Sequence, residues 1–185
     1  MASRYVALLR GINVGGNNRV PMADLRACFG DLGASDVATY IQSGNVLFDG
    51  GRTGAATWIE RIETALAERF GYDARVTLRS HDELRAIVAD APAGFGTDPD
   101  RYRSDVVFLL GPSSASEVVA QMRARDGVDS MTAGDGVVYF ERLTARASQS
   151  YLSKVVGTPI YREMTIRNWR TTTTLLRMLD ERAAG

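Results

Sequence analysis

YVALLRGINVGGNNRVPMADLRACFGDLGASDVATYIQSGNVLFD, residues 5–49, holds the pattern from which the fold is read. Tyr5–Leu9 is a short apolar run of the kind that forms a buried strand. Met22, Leu25, Phe29 and Leu32 recur at helical spacing, and Gly33 stops that helix. Val37–Gln42 and Val46–Asp49 read as strands joined at Ser43-Gly44-Asn45. Strand, helix, strand, strand is the opening of a split βαβ unit.

The pattern continues outward. Trp58, Ile59, Ile62, Leu66 and Phe70 fall on one helical face, with Gly71 beyond. Ala74–Arg79 alternates as a strand, and Ser80-His81-Asp82-Glu83 is a capping box that opens a helix reaching Asp90, before Pro92. Residues 92–104 carry Pro, Gly and Asp in a loop. The order then restarts. Val106–Leu110 is a strand, and Ser114-Ala115-Ser116-Glu117 is a second capping box, opening a helix to Arg125. Val128–Thr132 and Val137–Glu141 are strands turned at Gly134-Asp135-Gly136. Ala145–Val156 reads as helix, ended by Gly157, and Ile160–Ile166 as extended. Asn168 caps a final helix whose inner face is Trp169, Thr172, Leu176 and Leu179. The fold class expected is α+β: two ferredoxin-like (βαββαβ-type) halves with mainly antiparallel sheets and a C-terminal helix. The domains expected are 1–91, a connecting loop 92–104, and 105–185 with the final helix.

Composition bounds the function. The chain has 185 residues, 45% hydrophobic and 24% charged, as in ordinary soluble proteins. Lys+Arg and Asp+Glu balance at 22 each, which disfavours bulk binding to nucleic acid or to an acidic membrane. The one cysteine, Cys28, allows no intrachain disulfide. The N-terminus lacks the form of a signal peptide, and no stretch approaches the roughly 20 apolar residues of a membrane span. A cytoplasmic location is expected.

The halves differ at one place. From Gly111 the second reaches its helix cap at Ser114; from Gly11 the first does not start its helix until Pro21. The extra residues have no counterpart, so folding alone does not call for them, and surplus backbone at a strand end commonly touches something. Gly11, Gly15 and Gly16 bring backbone N–H groups close to a ligand, and Asn13, Asn17 and Asn18 add side-chain donors and acceptors. The helix that follows has no Ser, Thr, Asp or Asn at its start, which leaves its first amides for an anion, although Asp24 already complements the helix dipole. The spacing fits neither the dinucleotide fingerprint nor the P-loop. A second polar cluster is Arg167-Asn168-Trp169-Arg170, two arginines around a helix start. Trp169 is expected in the core, with Arg167 and Arg170 at least partly exposed. The loop Gly11–Asn18 and Arg167–Arg170 are expected on one face as an anion-accepting pocket, with Arg10 as a third guanidinium.

The stretches LLRGINVGGNNRVPMADLR, TYIQSGNVLF and TIRNWRT resemble the signature segments of the bacterial family catalogued as domain of unknown function 1697. The resemblance runs from the first strand to the last helix. It implies a bacterial α+β protein of two ferredoxin-related halves with no established activity. The family's recurrent positions fall on Arg10, Gly11, Asn13, Gly15, Gly16, Tyr40, Ser43, Gly44, Asn45, Arg167, Asn168, Trp169 and Thr171, and the resemblance carries no catalytic residue over to them.

Other candidates are thinner. His81, the only histidine, lies in the first turn of a capped helix without a visible partner. Cys28 reads as a small buried hydrophobe. Asp98 and Asp100 read as a solvated turn. Tyr151 and Lys154 bring a phenol and the chain's only lysine to one helix face. The expected function is binding or regulation through a small anionic ligand, phosphate-bearing ligands included, at Arg10, Gly11, Asn13, Gly15, Gly16, Asn17, Ser43, Asn45, Arg167, Asn168 and Arg170, with no metal or cofactor. One alternative is single-stranded nucleic-acid binding, which needs the strand aromatics Tyr40, Phe48, Tyr139 and Phe140 exposed. Another is a metal-independent enzyme of unknown reaction.

Overall fold

In the computed structural model, which describes residues 3–13, 19–71 and 73–184, strand β1 (Arg4–Arg10) hydrogen-bonds along both edges. The chain continues through α1 (Met22–Asp31), β2 (Ser35–Tyr40), β3 (Asn45–Asp49), α2 (Ala55–Phe70), β4 (Arg75–Ser80) and α3 (His81–Ala89). It then runs through β5 (Tyr102–Leu109), α4 (Ala115–Gln121), β6 (Asp129–Ala133), β7 (Val137–Leu143), α5 (Leu152–Val155), β8 (Met164–Asn168) and α6 (Trp169–Ala184). Two four-stranded antiparallel sheets result, β2-β3-β1-β4 and β6-β7-β5-β8. Both have the split βαβ order, in which the second hairpin strand, β3 or β7, lies between the first strand and the strand joined to it through a helix. The chain divides into two compact units, Met1–Leu84 with Leu175–Gly185, and Arg85–Thr174. Residues 92–104 lie inside the second unit.

Alternation decides which side chains enter each core. In the first unit Tyr5, Ala7 and Leu9 of β1 join Val46 and Phe48 of β3 and Val76 and Leu78 of β4. Leu25 and Phe29 of α1 and Trp58, Ile62 and Leu66 of α2 close over them. Phe48 is the hub, with ring centroids 5.7 Å from Tyr5, 5.3 Å from Phe29 and 5.0 Å from Trp58. In the second unit Val107, Leu109, Val138, Phe140 and Met164 pack beneath Val118 of α4 and Leu152 and Val155 of α5.

Both capping boxes form. Glu83 N–H donates to Ser80 Oγ, and Ser80 N–H to the Glu83 carboxylate; Ser114 and Glu117 make the same exchange. The two units repeat a further device. Arg79 Nη1 donates to Thr77 Oγ1 at 2.7 Å and to Leu78 O at 2.8 Å. Arg167 Nη1 donates to Thr165 Oγ1 and Ile166 O, both at 2.9 Å.

Several elements depart from the sequence reading. The helix expected over 145–156 is broken into a 3-10 segment, Thr144–Gln149, and the single turn α5. Ser150 is buried and extended there, and its hydroxyl accepts from Leu152 N–H in a local side-chain-to-backbone turn ahead of α5. Tyr151 N–H turns aside to Asp129 Oδ2. Helix α4 ends at Gln121 instead of Arg125, because Met122 is extended and its side chain stays in the core. Residues 160–163 are not extended: Pro159 opens a 3-10 turn, and β8 begins only at Met164. On α6 the buried positions are Thr171, Thr172, Leu175 and Leu179, with Leu176 half-buried. Among the described residues no helix is long and apolar enough to cross a membrane.

Gly44 fixes the first hairpin. Its φ is +75°, Leu9 N–H donates to its carbonyl, and a Cβ there would lie 2.4 Å from Ile12 Cγ2 and 2.8 Å from Leu9 Cβ. Gly44→Ala should lower the free energy of urea unfolding by about 2–4 kcal/mol, combining left-handed strain with overpacking. A loss under about 1 kcal/mol would show that the hairpin yields without disturbing the core.

Candidate functional site

Two first-unit residues of the expected site, Asn13 and Asn45, hold backbone. Asn13, with φ +53°, accepts from Val20 N–H and donates to Val20 O and to Gln42 O. Asn45 is fully buried and donates to Tyr40 O and Ser43 Oγ. Arg10 ends β1 opposite Arg75, and Gly11 has φ +78°. Pro21 precedes α1 with no side-chain cap, as its sequence implies. Asn13, Arg19, Val20, Pro21, Met22 and Gln42 line a cavity of about 510 Å³. Gly15, Gly16, Asn17 and Asn18 lie outside the described residues.

In the second unit the expected cluster separates. Arg167, expected to be partly exposed, is 7% exposed. Strand alternation places it with Thr165, on the face opposite Asn168, and burial pushes its guanidinium down to about 10. It repeats Arg79, and Thr-x-Arg followed by a helix-capping residue, in VTLRS and MTIRN, is the sequence sign of that role. Asn168 does cap α6, accepting from Thr171 N–H at 2.7 Å. Trp169 is half-buried, not core, and Arg170 is exposed.

Asn168, Trp169 and Arg170 line a cavity of about 650 Å³ with Gly96, Pro99, Tyr102, Arg103, Ser104, Asp105, Arg142 and Thr173. Its floor is the end of the sheet. Asp105 on β5 faces Phe140 on one side and Asn168 on the other, and Arg103 faces Arg142. Asp105 is 9% exposed and holds Arg142 Nη2 at 3.2 Å. Burial raises the Asp105 carboxyl above its ordinary 3.8, against the pull of Arg142 and Arg103. Arg142 Nε is buried with no hydrogen-bond partner. One wall is backbone: Gly96 has φ +71°, and a Cβ on it would lie 2.0 Å from Trp169 Cδ1. Phe95 stands edge-on to Trp169 at 5.2 Å and to Tyr139 at 5.4 Å, and Tyr139 donates to Ile87 O at 2.6 Å.

The first unit shows what this corner needs for folding alone. Tyr5 occupies the station of Asp105, facing Phe48 and Ser80. Gly50 occupies that of Arg142, opposite Ser3. There the corner is closed by aromatic rings: a Cβ on Gly50 would lie 2.5 Å from Trp58 Nε1 and 2.9 Å from Tyr5 Cε2. In the second unit an ion pair stands in place of that packing. Arg103, Asp105 and Arg142 were missed by sequence reasoning, although Asp105 in SDVVFLL aligned with Tyr5 in RYVALL was a visible sign.

The remaining candidates resolve simply. Cys28 is buried, which pushes its thiol up. His81 Nε2 lies 2.6 Å from Asp180 Oδ1, a partner 99 residues away. Asp98 accepts from Arg101 N–H in an exposed turn. Lys154 Nζ lies 4.1 Å from the Tyr151 ring centroid, beside a cavity of about 290 Å³. Phe48, Tyr139 and Phe140 are buried, so three of the four strand aromatics are no platform for bases. Among the described residues no three His, Cys, Asp or Glu side chains form a metal-holding group.

Two outcomes are expected. Arg167→Ala should cost about 2–4 kcal/mol in urea unfolding, because it orphans buried hydrogen-bond partners; a loss under about 0.5 kcal/mol would mark a surface arginine. Asp105 has a folded-state value above its unfolded one, so it binds its proton more tightly when folded. Its contribution is fully present below 3.8 and is lost as pH rises through the higher folded value. Stability measured by denaturation against pH should therefore rise on acidification through that window relative to Asp105→Asn, in which the rise is absent.

The fold has a solved relative. The structure of a conserved bacterial protein, SP0830 from Streptococcus pneumoniae, matches over 97% of this chain and 99% of its own, with a TM-score of 0.82 and 30% identity. No curated protein matches the chain. The family model described as a protein of unknown function, DUF1697, matches residues 2–139, and the chain belongs to that family.

Proposed function

We propose that this protein binds a small organic anion in the cavity of its second unit. The observation that carries the reading is the convergence of Arg103, Arg142 and Arg170 on one concave site that holds a single carboxylate, Asp105. Arg142 is committed to Asp105. Arg103 and Arg170 are exposed at the cavity and make no salt bridge among the described residues. Guanidinium groups suit phosphate and carboxylate because their N–H donors pair with two oxygens at once. Asn168 and Arg170 come from the set that the sequence singled out; Arg167 takes no direct part. The volume falls within the range of about 300–1,000 Å³ common for small-molecule sites.

A phosphate ester should raise the melting temperature of the full chain. Ribose 5-phosphate at about 100 times its dissociation constant adds about 2.7 kcal/mol. Arg170→Ala should remove most of that shift with little change in basal stability, since an exposed arginine contributes little to folding. A shift of unchanged size in both Arg170→Ala and Arg103→Ala would place the anion elsewhere and overturn the reading.

A further inference from the structure

We infer that the ligand of this cavity is a heteroaromatic monophosphate with a ring amino group, a nucleoside-monophosphate-like molecule that sets its ring against Trp169 and Tyr102, its phosphate at Arg103 and Arg170, and its amino group on Asp105. The inference rests on the anion reading above and goes further in three respects.

The first is size. A phosphate group alone leaves most of 650 Å³ unfilled, whereas drug-sized ligands fill sites of this scale. The second is the wall. Trp169 is held by the backbone of Gly96 and the edge of Phe95, and it lines the cavity together with Tyr102. Held aromatic side chains are surfaces on which a planar ring stacks. The third is Asp105. A site built only for an anion has no use for a carboxylate among its arginines, because that carboxylate repels the ligand. A carboxylate offers several acceptor positions, and among the described residues only Oδ2 is bonded, to Arg142 Nη2, so Oδ1 is left for a donor on the ligand. The twin corner, closed by Tyr5 and Trp58, shows that the fold does not require an acid at this station. A nucleobase amino group joined through a sugar to a phosphate carries the ring, the donor and the anion on one molecule.

The test is isothermal titration calorimetry of the full chain with adenosine 5′-monophosphate, purine riboside 5′-monophosphate, ribose 5-phosphate and inorganic phosphate. The amino-bearing nucleotide should bind about tenfold or more tightly than ribose 5-phosphate, the gain expected from stacking one base. It should also bind about tenfold more tightly than purine riboside 5′-monophosphate, the gain from a hydrogen bond to a charged acceptor. Trp169→Leu should weaken the nucleotide by about tenfold and leave ribose 5-phosphate unchanged. Asp105→Asn should narrow the preference for the amino group; where that variant fails to fold, the comparison of the two nucleotides on the native chain carries the same information. Ribose 5-phosphate binding as tightly as the nucleotides would overturn this inference and leave the anion reading standing. Equal binding of the two nucleotides would overturn the role of Asp105. Absence of binding by all four at millimolar concentration would overturn both readings together.

Discussion

Asp105 cannot leave the buried face of its sheet. It lies on β5, a strand hydrogen-bonded to β7 on one edge and β8 on the other, so its register is fixed from both sides. Slipping by one residue would turn Val107 and Leu109 out of the core along with it. The pleat therefore carries a carboxylate to the same face as the hydrophobic cluster, and the surroundings have to answer its charge. Arg142 comes from the neighbouring strand by the same alternation. Because the pair sits at the end of the sheet, beyond the last apolar layer, the answer is a polar cavity and not a sealed core.

Burying an ion pair rarely improves stability, because desolvation offsets much of the attraction. The first unit demonstrates the cheaper solution on the same backbone. Tyr5 and Trp58 close against Gly50 with Phe48 between their rings, and the indole N–H finds the Gly50 carbonyl at 3.0 Å. Helix α2 delivers Trp58 to that corner. In the second unit the equivalent stretch is broken at Ser150 into short turns, so no long helix brings an aromatic residue to Asp105. The broken helix and the charged pair are one arrangement, since each leaves room for the other.

What was legible in the sequence followed local rules. The strands alternate, the two capping boxes close reciprocally, and the hairpins sit where Gly44 and Gly136 supply positive φ. Those features depend on residues within a few positions of one another. What was not legible depends on distant partners. Arg167 looked like a surface arginine because it stands beside Asn168 and Arg170 at a helix start, while its burial is set by the strand pairing that puts it opposite Val106. The cavity gathers Gly96, Arg103, Asp105, Arg142 and Arg170 from four separate segments, and no spacing rule links them. The loop after Gly11 stood out because it was an insertion, yet Asn13 uses its amide to pin Val20 and Gln42. An unusual sequence marks a place where backbone needs holding as readily as a place where a ligand is held.

The wall of the cavity is set before any ligand arrives. Phe95 is wedged edge-on between Tyr139 and Trp169, and Tyr139 is itself fixed by its hydroxyl on Ile87 O, where burial pushes the phenol up to about 12. Gly96, the next residue, donates its N–H to Glu141 Oε1, which also accepts from Ser104 Oγ at 2.6 Å. Any side chain at Gly96 would strike the indole, so glycine there lets the loop backbone itself brace Trp169. A side chain braced on several sides loses little rotamer freedom when something packs against it. Rigidity of that kind turns contact area into affinity with a smaller entropic loss. The loop that looked like a passive connector in the sequence is therefore the part that gives the arginine-lined corner a defined shape.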